Sequence, residues 1–125
     1  MIATNHIYQL SLDGSDNVKV LPIDNIKGGS GLAFDSLTEK IYWSDVESKQ
    51  ILSSHLNGTE KTVIVGFDLA SPNSIAFDWV TKYLYWTDHV LNRIEVTKSD
   101  GTARKILIQQ GLYKPSQLVI YPKKG

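Results

Sequence analysis

The sequence predicts an all-β fold assembled from short four-stranded antiparallel units, and two observations carry that prediction. The chain repeats itself: Pro72 recurs as Pro115, Asp35 as Asp78, Trp43 as Trp86 and Gly58 as Gly101, each 43 residues on. No window sustains a helical period, while Gly, Pro, Asn and Asp punctuate the chain roughly every eight to twelve residues. Four strands per unit at this period is the pattern of a β-propeller blade; tetratricopeptide, ankyrin and leucine-rich units are shorter. WD40 blades join Trp directly to Asp, whereas here Ser44 or Thr87 intervenes.

The units follow in order. Residues 1–27 are expected to form the second half of a blade, because Leu12-Asp13-Gly14-Ser15 aligns with Leu56-Asn57-Gly58-Thr59 and with Ser99-Asp100-Gly101-Thr102. Residues 28–70 and 71–113 read as full blades, and residues 114–125 as the first strand of the next. Within 71–113 the expected strands are Ser74–Asp78, Tyr83–Asp88, Arg93–Lys98 and Arg104–Ile108. The first is small and apolar, and the second is aromatic. The third places Ile94 and Val96 on alternate positions before the Asp100-Gly101 turn signal, and the fourth is apolar and β-branched. A chain of 125 residues at this period is close to three blades.

Composition narrows the function. Lys and Arg total 13, as do Asp and Glu, so the formal net charge is zero. That balance speaks against a basic nucleic-acid groove or an electrostatic membrane anchor. Apolar residues at 42% and charged residues at 21% fit a folded globular chain. With no cysteine, disulfide scaffolds, thiolate metal sites and cysteine nucleophiles are excluded. The N-terminal residues carry no signal-peptide pattern, and no stretch approaches the roughly 20 apolar residues of a membrane helix.

Most conspicuous side chains have structural readings. Tyr42-Trp43-Ser44-Asp45 and Tyr85-Trp86-Thr87-Asp88 are expected on a middle strand covered on both faces, where Tyr and Trp supply large contact area. Asp45 and Asp88 are expected to accept N–H bonds from the following turn. Asp35 and Asp78 recur as a repeated structural need rather than as a catalytic pair, since Tyr121 holds the third such position. His6, His55 and His89 do not recur at equivalent positions. No catalytic residue, metal site or cofactor is expected, and no enzyme motif occurs. Asn57-Gly58-Thr59 is an N-glycosylation sequon on a turn, usable in a secreted chain.

The two motifs resemble the YWTD motif of low-density-lipoprotein-receptor class B repeats. An Ile/Leu-Ala-Phe-Asp strand precedes each, and Gln50-Ile51 or Arg93-Ile94 follows. Tyr83 through Val96 is most similar to LDL-receptor-related receptors that act as Wnt co-receptors or agrin receptors. The resemblance implies YWTD β-propeller blades, about half of a six-bladed ring. It also implies an extracellular or receptor-ectodomain setting and non-enzymatic recognition of a secreted or matrix protein. Loops on one propeller face carry such binding, and they map onto Ser30, Glu47, Lys49, Ser71, Asn73, His89, Val90, Asn92 and Ser116. Resembling receptors place acidic residues at several of these positions; here Ser30, Lys49, Asn73 and Val90 stand instead. The alternatives are a truncated structural fragment without a specific ligand and, ranked lower, a propeller hydrolase of the lactonase kind. A second copy of the chain is a candidate partner for completing a ring, with imperfect junction blades.

Overall fold

The computed structural model describes residues 2, 5–10 and 18–108. The described residues form strands β1 (Tyr8–Leu10) and β2 (Val18–Val20), β3 (Gly29–Asp35), β4 (Lys40–Asp45), β5 (Gln50–His55) and β6 (Thr62–Val65). They continue with β7 (Pro72–Asp78), β8 (Tyr83–Asp88), β9 (Arg93–Lys98) and β10 (Lys105–Ile108). Two four-stranded antiparallel sheets run in chain order, β3-β4-β5-β6 and β7-β8-β9-β10, beside a β1-β2 pair. The strand expected at 114–125, with Ser116 and Tyr121, lies outside the described residues.

Strand ends depart slightly from expectation, for physical reasons. β7 starts at Pro72 rather than Ser74, with a register irregularity before Ile75. Proline has no N–H for the ladder and is tolerated at the first residue of a strand. β10 starts at Lys105 rather than Arg104, and the Arg104 side chain serves a contact described below.

The turns repeat with the strands. Asp35 accepts from the Leu37 N–H at 3.1 Å and the Thr38 hydroxyl at 2.7 Å. Asp78 accepts from the Val80 N–H and the Thr81 hydroxyl, both at 2.9 Å. Each turn closes on a left-handed residue, Glu39 with φ 56° and Lys82 with φ 66°. These carboxylates therefore hold the turns after β3 and β7 in an Asx geometry. At the turn after β9, Gly101 has φ 88°, a region where a Cβ is strained.

Alternation along β4 builds the core. Successive side chains of a strand point to opposite faces, so Tyr42 and Trp43 enter different clusters. Trp43 packs with Ile7, Leu21, Ile23, Ile26, Ile41 and Leu52. Tyr42 packs with Ile51, Val65, Leu69, Ile75, Leu84 and Trp86. Trp43 and Trp86 thus each face the preceding unit, and Tyr42 faces the following one. Tyr42 also stacks on Phe77, centroids 5.4 Å apart. The sheets approach closely at Gly31, where a Cβ would fall against the Asn73 carbonyl oxygen and stand 2.9 Å from Ser44 Oγ. Only glycine fits that seam.

A second set of contacts fastens strands to the linkers before them. Arg104 donates to Glu95 Oε1 at 2.8 Å and to the Phe67 and Asp68 carbonyls, both at 2.8 Å. Arg93 donates to Glu95 Oε2 at 3.0 Å and Asp68 Oδ2 at 2.9 Å. Glu95 is buried between these two arginines, which pair with both of its carboxylate oxygens. One repeat earlier Lys61 does the simpler version, donating to the Asp24 carbonyl at 2.6 Å and lying 5.9 Å from the Trp43 ring centroid. Arg104 stands 5.5 Å over Trp86 in the same way.

Candidate protein-recognition face

Antiparallel order puts the β4–β5 and β8–β9 turns at the same end of their sheets as the linkers entering β3 and β7. Residues 46–49, 89–92, 28–30 and 69–73 therefore share one end of the two blades. Two carboxylates fix it. Asp45 Oδ1 accepts from the N–H groups of Gly28, Glu47 and Ser48 at 2.9, 3.0 and 3.0 Å, and Oδ2 from Lys27 at 2.9 Å. Asp88 Oδ2 accepts from Ala70 at 2.9 Å, Oδ1 from Val90 and Leu91 at 3.0 and 2.9 Å, and both from Ser71 at 3.1 Å. The linker and turn are also tied directly, Val46 N–H to the Gly28 carbonyl and His89 N–H to the Ser71 carbonyl. The following turn is the partner expected from sequence. The preceding linker, 17 or 18 residues earlier, was not legible, because no local spacing signals it.

Burial opposes ionisation of Asp45. The N–H groups of Ser48, Lys27, Gly28 and Glu47 outweigh it and hold the carboxyl below its ordinary 3.8. Asp35 is lowered likewise, its burial outweighed mainly by Thr38 and Leu37. A carboxylate with a depressed folded pKa stabilises the fold above its unfolded pKa and loses that contribution as pH falls through the folded value. The urea midpoint is expected to stay flat from pH 7 to about 5 and to drop below about 4, with a shallower drop in Asp45→Asn. An acid-insensitive wild-type midpoint would contradict the clamp.

The expected site residues divide by what they touch. Glu47, Lys49 and Val90 are exposed at the turn tips, Val90 to 70%. Lys49 and Asn92 hold the left-handed position of their turns, φ 56° and 58°. Asn73 and His89 are half-buried neighbours, with Asn73 Nδ2 and His89 Nε2 2.8 Å apart in a side-chain hydrogen bond. Ser71 is engaged through its N–H on Asp88. Ser30 lies in the seam between sheets, its hydroxyl donating to the Pro72 carbonyl at 2.7 Å and lying 2.7 Å from Ser44 Oγ. Among the described residues no three His, Asp or Glu side chains converge as metal ligands.

A family model described as low-density lipoprotein receptor repeat class B matches residues 39–79 and 82–122. The chain belongs to the low-density lipoprotein receptor class B repeat family. Its repeats are 39% identical over 66 residues, 53% of this chain, to human low-density lipoprotein receptor-related protein 5, and 38% identical to the Mus musculus protein. Among solved structures, a chain of the nidogen/laminin complex superposes with a TM-score of 0.79 at 38% identity, covering 88% of this chain and 43% of that one. A gluconolactonase from Xanthomonas campestris, 18% identical with a TM-score of 0.72, covers 93% of this chain and 38% of that one and shares the fold alone. The aligned 66 residues span 4% of the length of each of these curated relatives.

Proposed function

We propose that the chain is a non-enzymatic, extracellular protein-recognition module that binds a secreted or matrix protein through the 46–49 and 89–92 turns and the linkers beside them. The observation that carries this reading is the pair of buried carboxylates, Asp45 and Asp88, each spending its acceptors on backbone N–H groups of the loops at that end. Loops held this way present Glu47, Lys49 and Val90 on an ordered backbone, which lowers the entropy lost on binding. Exposed Val46 and Val90 stand there with exposed Glu47 and Lys49, as suits a polar-rimmed protein interface rather than a small-molecule cleft.

Laminin is the first ligand to test, since it is named in the complex whose chain superposes on this one. Saturable binding to immobilised laminin or a matrix fraction is expected, weakened about tenfold by Lys49→Ala with His89→Ala, or about 1.4 kcal/mol. Equal affinity in the double variant would remove these turns from the site. No binding to any matrix fraction would favour the fragment reading.

Self-association is part of the same proposal. Tyr83, Ile106, Leu107 and Ile108 are exposed on the Pro72–Ile108 sheet, and β10 has β9 as its partner in that sheet. Open edges and apolar faces favour pairing. Sedimentation is expected to find species heavier than the 14.0 kDa chain. A homogeneous monomer would set this aside.

A further inference from the structure

We propose that Asn57 is an N-glycosylation site whose glycan stands at the opposite end of the blade from the recognition turns. Asn57 is exposed at the turn between β5 and β6. Its Oδ1 accepts from the Thr59 N–H at 3.0 Å and from the Thr59 hydroxyl at 2.6 Å. Gly58, with φ 84°, lies where an added Cβ would fall against the Pro22 carbonyl oxygen. Asp100 makes the same pair of bonds to Thr102, at 2.9 and 2.6 Å, one repeat later. A carboxylate therefore satisfies this turn, and the amide at 57 adds an Nδ2 that the turn does not use. No other asparagine in the sequence is followed two residues later by Ser or Thr.

The chemistry needs that nitrogen exposed. The Asn57 Nδ2 attacks the anomeric carbon of a lipid-diphosphate-linked oligosaccharide, forming the N–C bond. The bond from that carbon to the diphosphate oxygen breaks, the lipid diphosphate leaves with the electron pair, and the nitrogen loses one proton to the transferase's base. β5 runs from Gln50, beside the 46–49 turn, to His55, so a strand of roughly 20 Å separates glycan from recognition loops.

This inference rests on the extracellular reading, and its test keeps the two apart. The full chain, secreted from animal cells behind a cleavable leader, is weighed intact before and after peptide-N-glycosidase, beside Asn57→Asp and Thr59→Ala. Most wild-type molecules are expected to carry a glycan that the enzyme removes, leaving aspartate at position 57. Asn57→Asp should be secreted unmodified at a similar level, because Asp100 shows that the turn tolerates it; Thr59→Ala should lose the glycan. Secreted wild type with unmodified Asn57, or a glycan that survives either substitution, overturns the proposal whatever laminin binding shows.

Discussion

Replacing Trp86 by alanine is expected to lower stability by about 3–5 kcal/mol. Trp86 is wholly buried between the two sheets, among Tyr42, Ile51, Val65, Leu69, Ile75 and Leu84. All but Leu69, which lies in the linker between β6 and β7, sit on strands of the two sheets, so the space cannot close without moving one blade against the other. Among the described residues the buried indole N–H has no hydrogen-bond partner, and Arg104 lies over the ring. Trp86→Phe is therefore expected to cost less than half as much, since it keeps most of the packing and removes an unpaired donor worth about 1–3 kcal/mol. Urea titration at constant m-value checks both. An alanine variant with the wild-type midpoint would disprove the packing role.

Asp88→Ala is expected to cost about 3 kcal/mol or more, because it strands several backbone donors that face one buried carboxylate. Ala70, Ser71, Val90 and Leu91 all donate to it. Asp88→Asn should fall between, since an amide keeps one acceptor but turns a donor toward donors. Amide hydrogen exchange locates the effect: residues 70, 71, 90 and 91 should lose protection together. Binding through the 89–92 turn should weaken although no exposed side chain has changed. Unchanged protection in Asp88→Ala would mean that the loops are held by something else.

Legibility from sequence followed range. The four strands of each blade and the roles of Trp43, Trp86, Asp45 and Asp88 could be read because each answers a local need repeated every 43 residues. The recurring cations Lys61 and Arg104 were visible in the same repeat but carried no reading, because their acceptors are linker carbonyls 36 or 37 residues away. Asn73 with His89, and Glu95 between Arg93 and Arg104, have no repeated spacing. Ser30 looks like a loop residue in sequence, yet its hydroxyl is bonded within the seam between sheets.

The sequence by itself therefore determined the all-β class, the blade period, the family and the turn at each Asp. These follow from residue type and alternation along a strand, which act over a few positions. Tertiary structure alone decided which face each aromatic covers, how one carboxylate clamps two distant loops, and which candidate side chains remain exposed. Those outcomes depend on the close approach of separate sheets, which at Gly31, against the Asn73 carbonyl, leaves no room for a Cβ.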